Sequence, residues 1–304
     1  MKRLEIKKIL IPMDFSDTGQ LAFEQGSFMA SLFKADLYLL HVIELTEFVY
    51  TVYDPEALVA VDTDEVEKNI RRSLEEQAEK IKTRYGIQPT CIISRGRVVS
   101  QICEVVRENN IDVVVMGTHG AKGFEEYFIG SNAHKATSVS PCPIITFQSS
   151  SERIGFKNII LPIDNSLHSR QKVDYAIEMA AHYGAFVNIL GLIEEEDEEM
   201  DKNKFMIKIE AVEKALKKAK IKYSQKIVQG KNLAVETMQY ADEVRGDLII
   251  IMTDHESQLT GMFLGAFAKQ IINHSRIPVM SIKPIEGNWH FETLDLSAGS
   301  TPFE

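Results

Sequence analysis

The chain has 304 residues, of which 44% are hydrophobic and 26% are charged, and its formal net charge is -10. This composition excludes a disordered or fibrous chain, and the acidic balance argues against a nucleic-acid partner because phosphate contacts need a concentrated basic face. No apolar run approaches the roughly 20 residues that a membrane-spanning helix needs, and no secretory signal is evident, so we expect a cytoplasmic protein without a membrane partner.

Short β-rich runs alternate with longer helical patterns from the N-terminus onward. In the first half of the chain the pattern predicts strands at 8–13, 36–42, 89–94, 112–116 and 143–147. Helices are predicted between them at 17–34, 63–84, 98–109 and 131–139. Near-continuous apolar runs are typical of strands covered on both faces, and regular alternation of strand and helix predicts a doubly wound parallel sheet of the α/β class.

An internal repeat divides the chain. "KKILIPMDFSDTG" at 7–19 returns as "KNIILPIDNSLHS" at 157–169, an offset of 150 residues, whereas "IDVVVMG" at 111–117 is echoed by "GDLIIIM" at 246–252, an offset of 135. The drop in offset indicates that the first copy carries about 15 extra residues, which fall most naturally within 45–65.

Two tandem domains follow from this repeat. We predict a first domain at 1–148, a second at 156–284 and a polar C-terminal tail at 285–304. The carboxyl ends of the parallel strands form one edge in each domain, and ligands of such sheets bind at that edge where the chain order reverses.

Three cysteines, Cys91, Cys103 and Cys142, are an odd number without close metal-ligand spacing. This pattern favours reduced structural thiols over a zinc site.

A glycine-rich stretch, "MGTHGAKGFEEYFIGSN" at 116–132, follows the fourth predicted strand. Glycine lets backbone amides approach a ligand, and the amides at the start of the next helix favour an anion, so a phosphate cradle is one interpretation. The other is a loop that uses glycine for turning alone. Neither G-x-x-x-x-G-K-[ST] nor G-x-G-x-x-G is present.

The spacing G-x2-G-x9-G-[ST] is met by Gly117, Gly120, Gly130 and Ser131. Together with "ILIPMDFSD" near the start and "CPI" at 142–144, it resembles the universal stress protein family over nearly the whole chain. The resemblance implies two adenine nucleotide alpha hydrolase-like domains, each a five-stranded parallel sheet flanked by helices. It also implies that the domains pair through their last strands, at 143–147 and 278–283, while a homodimer of whole chains and an unknown protein partner stay open.

In ATP-binding members of the family the adenosine lies between the ends of the first, second and fourth strands, and the phosphates lie on the glycine loop and helix start. Carried over by position, the resemblance implies base and ribose contacts from Pro12, Asp14 and Val42, a loop lined by Met116, Gly117 and Gly120, and phosphate contacts from Gly130, Ser131 and Asn132. The expected cofactor is ATP with Mg²⁺ or Mn²⁺ on the phosphates, because no Walker lysine is present to neutralise them.

Each of these assignments has a plainer alternative. Asp14 is also suited to a turn or helix cap before the first helix, and Ser131 to a helix cap. His119 and Lys122 either touch the γ-phosphate or are solvated loop side chains.

The second copy departs from the glycine pattern. At the offset of 135, Gly117 becomes Met252, Gly120 becomes His255 and Ser131 becomes Ala266, and only Gly265 remains. We expect these side chains to occupy the space where backbone meets phosphate. The second copy is then a degenerate structural partner, with a different ligand as the alternative.

The function that the resemblance implies is ATP binding in a stress-response or signalling module, with slow or no hydrolysis. Two alternatives stay open, an enzyme of the same fold (a weak ATPase or an adenylyl-transferring enzyme) and a nucleotide-free partner-binding module. The insertion at 45–65 is a candidate contact or lid over the first site.

Overall fold

The computed structural model describes residues 4–44, 63–118, 130–148, 154–166, 168–195, 202–253 and 264–284. Several predicted features lie outside these residues: Gly120, His119, Lys122, His255, the insertion up to residue 62, and the tail from residue 285. Within the described ranges, no helix combines the length and the apolar character needed to cross a bilayer.

The first half of the structure contains five strands and four described helices. In chain order they are β1 (Lys8–Pro12), α1 (Asp17–Phe33), β2 (Asp36–Ile43), α2 (Thr63–Tyr85), β3 (Thr90–Arg95), α3 (Val98–Asn109), β4 (Val113–Gly117), α4 (Ser131–Val139) and β5 (Ile144–Phe147). Every element lies within one residue of its predicted bounds. Helix α1 begins where the side chain of Ser16 accepts a hydrogen bond from the Gly19 N–H at 3.1 Å, an ordinary N-cap.

The second half repeats this order. Its elements are β6 (Asn158–Ile163), α5 (Val173–Tyr183), β7 (Phe186–Glu194), α6 (Lys202–Lys218), β8 (Tyr223–Gly230), α7 (Leu233–Glu243), β9 (Leu248–Met252), α8 (Ala266–His274) and β10 (Val279–Ile282). One difference stands out. Helix α5 begins six residues after the position that corresponds to the start of α1 at the offset of 150.

All ten strands form one sheet in the order β3-β2-β1-β4-β5-β10-β9-β6-β7-β8. Within each half every neighbouring pair is parallel. The chain order reverses between β1 and β4 in the first half, and between β6 and β9 in the second. This topology confirms the predicted doubly wound α/β class.

The halves meet through their last strands, which pair antiparallel with Thr146 opposite Val279 and Ile145 opposite Met280. This is the intramolecular pairing that the family resemblance implies. Because the junction is antiparallel, the carboxyl ends of the strands lie at opposite edges of the sheet in the two halves. Any ligand sites at these edges are therefore separate.

Aromatic packing beside this junction fixes the two halves together. The ring of Phe33 stacks on His182 with centroids 4.0 Å apart and meets Tyr183 edge-on at 5.7 Å. Nearby, the Gly155 N–H donates to Gln25 Oε1 at 2.9 Å. A single buried cluster contains residues of both halves, so their cores are continuous.

Candidate functional site

Strand register brings several predicted site residues to one edge. Strand β1 pairs with β2 so that Pro12 lies opposite Leu40, and it pairs with β4 so that Leu10 lies opposite Val114. Continuing both registers, Pro12 is level with Met116, and Asp14 is level with Val42. These residues therefore converge at the switch point between β1 and β4, where doubly wound sheets bind ligands.

The alternation of side chains assigns them to one face of the sheet. Met116 is buried in the cluster formed with α3 and α4, and Val42 packs against that cluster. Its neighbour His41 points to the other face, where its ring stacks on Phe15 with centroids 5.2 Å apart. The candidate pocket thus lies on the side of the sheet covered by α3 and α4.

The start of α4 lies beside the end of β4. The Gly130 N–H donates to the Thr118 carbonyl at 2.5 Å, which brings the two ends of the glycine-rich stretch together. Gly130 is the N-cap, and no side chain among the described residues caps the helix, so Ser131 is not the cap that the plainer alternative required. Ser131 and Asn132 are exposed in the first turn. The first turn of α4 thus presents, with no side-chain cap from the described residues, backbone amides and the positive end of the helix dipole at the switch point.

Asp14 has a role in the local turn. Its Oδ1 accepts hydrogen bonds from the Ser16 N–H at 3.0 Å and from Ser16 Oγ at 2.6 Å. The Asp14 carboxylate therefore does stabilise the turn, but only one of its two oxygens is used for this. Within the described residues Oδ2 accepts no hydrogen bond, and the side chain is exposed. That second oxygen remains available to a ligand at this edge.

Gly117 has a packing role that sequence reasoning missed. A Cβ at this position would lie 2.7 Å from the Thr18 carbonyl carbon, 2.8 Å from the Thr18 oxygen and 2.9 Å from Gly19 N. Only glycine lets the end of β4 approach the backbone of α1 this closely. This requirement lies on the α1 face of the sheet, opposite the candidate pocket.

Gly19, also missed, supports Asp14 directly. A Cβ on Gly19 would collide with Asp14 Oδ1 and would lie 3.1 Å from Ser16 Oγ. The available signal was a glycine in the first turn of a predicted helix, where glycine is unfavourable unless packing requires it.

The corresponding edge of the second half is built differently. Met252 takes the place of Gly117 but does not fill the phosphate space, contrary to expectation. It is 3% exposed and packs in the core shared with α5, because alternation along β9 turns it to that face. In the first half, the backbone of Thr18 and Gly19 occupies the space beside Gly117. In the second half the side chain of Met252 fills the equivalent space, so no helical turn fits there and α5 starts late.

Because α5 starts late, residues 168–172 form a turn, and this turn covers the end of β6. The Asp164 N–H donates to Ser169 Oγ at 3.0 Å, and Asp164 Oδ1 accepts from the Ser166 N–H at 2.9 Å. Lys172, 2% exposed, donates from Nζ to Ser169 Oγ at 3.3 Å. Burial by itself raises the pKa of Asp164, but the charge of Lys172 and hydrogen bonds from Ser166 and Ser169 outweigh it, and the pKa is lowered. The end of β6 is thus covered by its own side chains.

The cysteines fit structural roles. All three thiols are free, and burial raises the pKa of Cys91 and Cys103, and that of Cys142 to about 12. They are therefore protonated at neutral pH. Across the described ranges, no group of three His, Cys, Asp or Glu residues is placed to hold a metal ion.

Comparison with known proteins agrees with the repeat. The Universal stress protein family model matches residues 5–148 and again residues 155–283. Universal stress protein YxiE of Bacillus subtilis is 29% identical over 143 residues, which is 45% of this chain and 96% of the relative. Universal stress protein MJ0577 of Methanocaldococcus jannaschii is 27% identical over 150 residues, which is 46% of this chain and 93% of the relative.

Solved structures extend the likeness to both halves together. A universal stress protein from Archaeoglobus fulgidus superposes with a TM-score of 0.72 at 20% identity, covering 92% of this chain and 99% of that one. A putative universal stress protein from Pseudomonas aeruginosa gives a TM-score of 0.65 at 15% identity, covering 92% of this chain and 94% of that one. At these identities the superpositions show a shared fold.

Proposed function

Because this chain belongs to the universal stress protein family, we propose that its first half binds ATP and that the chain acts as a stress-response or signalling module. The observation that carries the proposal is the meeting of three features at the switch point between β1 and β4. They are the exposed carboxylate of Asp14, the apolar wall of Val42 and Met116, and the uncapped start of α4.

Each feature suits one part of the nucleotide. The free oxygen of Asp14 accepts hydrogen bonds from ribose or adenine donors, while Pro12 and Val42 offer apolar surface to the base and the buried Met116 lies behind Val42. The amides that follow Gly130 suit phosphate oxygens, which helix N-termini favour. A role for Gly120 in lining the loop is carried over from the family pattern.

A divalent cation fits this arrangement as a companion of the phosphates. The described residues offer no cluster of protein ligands for it, so Mg²⁺ or Mn²⁺ would be held mainly by phosphate oxygens and water. Neutralisation of phosphate charge is the chemistry that the cation would supply. Ser131, exposed at the start of α4, offers a hydroxyl as a further ligand.

The proposal restricts the role to binding with slow or no hydrolysis. Hydrolysis needs a group that orients an attacking water at the γ-phosphate. Asp14 lies at the strand end and is tied to Ser16, so it is poorly suited to that task. Phosphate bound at the start of α4 would act on a helix that leads directly into β5, the strand that pairs with the second half.

Stoichiometry and a matched pair of variants test the proposal. Calorimetric titration of the nucleotide-stripped full chain with ATP and Mg²⁺ should give one site per chain. Asp14→Asn should weaken binding about tenfold or more, since a hydrogen bond to a charged group contributes roughly 1.5–3 kcal/mol. Asp17→Asn removes an exposed carboxylate three residues away and should leave the affinity unchanged.

Two results would contradict the proposal. Absence of binding by the wild-type chain would leave a nucleotide-free module. Equal loss in the Asp14 and Asp17 variants would mean that overall charge, rather than a specific contact, governs the affinity.

A further inference from the structure

Phe15, which follows Asp14, has a backbone conformation that is costly for an aromatic residue. Its φ is 58°, in the left-handed region that bulky side chains rarely adopt. Phe15 precedes a helix, whereas the other described non-glycine residues of positive φ lie just beyond the C-terminal end of one, where this conformation is common: Lys34, Asn110, Lys220 and Arg245. A residue strained in this way persists only where its surroundings hold it.

The contact that holds Phe15 comes from His41. The imidazole stacks on the Phe15 ring with centroids 5.2 Å apart and an interplanar angle of 29°. His41 Nδ1 also lies 2.7 Å from the Met13 carbonyl oxygen. Because a carbonyl oxygen only accepts, Nδ1 carries the proton and donates it to this bond. His41 therefore contacts both the residue before Asp14 and the residue after it.

These two contacts fix the short turn between β1 and α1. Met13 is 3% exposed, and its N–H donates to the Leu40 carbonyl at 2.7 Å, so β2 binds both backbone polar groups of Met13. On the other side of Phe15, Ser16 donates from its N–H and its Oγ to Asp14 Oδ1. Since Phe15 lies between the two residues of this contact, its conformation decides whether Ser16 reaches that oxygen.

The second half lacks both members of this pair. At the offset of 150, Gly191 replaces His41 and Asn165 replaces Phe15, and the φ of Asn165 is not positive. The space of the imidazole is taken from another element, because a Cβ on Gly191 would lie 3.2 Å from Phe205 Cζ. The pair thus accompanies the exposed carboxylate of the first half and is missing where the end of β6 is covered.

We propose that His41 is a positioning residue for the nucleotide site. Through the Met13 carbonyl and the Phe15 ring it holds the Asp14 carboxylate so that one oxygen is offered to the ribose or the base. This inference rests on the ATP binding proposed above. His41 lies on the α1 face of the sheet, opposite the candidate pocket, so it acts through Asp14 and does not touch the nucleotide.

Calorimetric titration of the nucleotide-stripped full chain with ATP and Mg²⁺ tests this role. His41→Phe keeps a ring against Phe15 but cannot donate to the Met13 carbonyl, and it should weaken ATP binding about threefold or more, as the loss of one hydrogen bond does. His41→Asn places an amide N–H where Nδ1 lies and should restore most of the affinity. In the Asp14→Asn background, His41→Phe should change the affinity by less than about twofold, because the group on which it acts is gone.

A matched control lies at the junction between the halves. His182 also stacks on a phenylalanine, Phe33, with centroids 4.0 Å apart, and its Nδ1 lies 3.0 Å from the Glu178 carbonyl oxygen. His182→Phe therefore removes the same kind of hydrogen bond away from the site and should bind ATP as the wild type does. If His41→Phe is poorly folded by thermal unfolding, His41→Gln, whose amide reaches the position of Nε2 instead of Nδ1, takes its place.

Amide exchange of Ser16, measured by NMR without nucleotide, separates this inference from the ATP proposal. Because the Ser16 N–H donates to Asp14, its exchange should be faster in His41→Phe than in the wild type and unchanged in His182→Phe. If the wild-type chain binds no ATP while exchange changes in this way, the ATP proposal fails and the positioning of Asp14 by His41 stands. The inference is overturned if Ser16 exchanges equally in His41→Phe and the wild type, if His41→Phe weakens ATP binding equally with and without the Asp14 carboxylate, or if His41→Asn binds as weakly as His41→Phe.

Discussion

The close approach of β4 to α1 makes Gly117→Ala a sharp test of the fold around the site. The new Cβ would lie 2.7 to 2.9 Å from backbone atoms of Thr18 and Gly19, whereas ordinary contacts lie at 3.4–4 Å. Because backbone cannot rotate aside as the end of a side chain does, the strand and helix must separate by about 0.5–0.7 Å to bring these contacts to 3.4 Å. Overpacking of this kind costs typically 1–3 kcal/mol.

A loss of about 2 kcal/mol corresponds to a fall in Tm of about 4 to 8 °C for a domain of this size. Thermal unfolding of the full chain without nucleotide measures it. The comparison variant is Gly26→Ala, whose Cβ would meet only side-chain atoms, Ile11 Cδ1 at 2.6 Å, Ile11 Cγ1 at 2.9 Å and Val115 Cβ at 3.4 Å. Because a side chain rotates aside more easily than backbone and alanine adds helix propensity, Gly26→Ala should lower Tm by less than Gly117→Ala does.

The reasoning is refuted if Gly117→Ala unfolds at the wild-type temperature, or if both variants lose the same amount. Either result would mean that the contact with Thr18 relaxes without cost and that glycine is not required there for packing.

The remaining predictions concern the two edges and the junction. Gly19→Ala should weaken ATP binding more than stability, because the added methyl displaces the Asp14 carboxylate, and calorimetry with thermal unfolding separates the two effects. Lys172→Met should destabilise the chain by about 1–3 kcal/mol at pH 7 in denaturant titration, because it leaves the half-buried Asp164 without its countercharge. The difference in unfolding free energy between this variant and the wild type should narrow as the pH falls towards 3.8, the usual pKa of an aspartate, because Asp164 is then protonated. Burial and Lys269 lower the pKa of His134 below 6.5, so the unfolded chain takes up this proton first and wild-type stability should fall as the pH drops through 6.5. His134→Gln should lose less stability than the wild type between pH 7.5 and 5.5, and an unchanged pH profile would contradict this role.

Local pattern alone was enough to locate the elements and the edge that carries the candidate site. Apolar periodicity and turn residues are properties of neighbouring positions, so the bounds predicted for α1 and β4 agree with the structure within one residue. The repeat, visible as matching strings, predicted two copies of one fold. Since parallel strands end at a common edge, Pro12, Asp14 and Val42 were expected to converge there, and the register brings them together.

Features that depend on contacts between distant parts of the chain were decided by tertiary structure. Nothing near Gly117 in the sequence indicates that the backbone of Thr18 lies against it. The late start of α5 depends likewise on Met252, and the pairing of Lys172 with Asp164 depends on the turn that results. The sequence by itself determined the fold class and the location of the candidate site, because periodicity is local. That the end of β6 is covered while Asp14 after β1 stays exposed was decided only by packing, because steric fit and charge pairing exist only once the strands and helices are assembled.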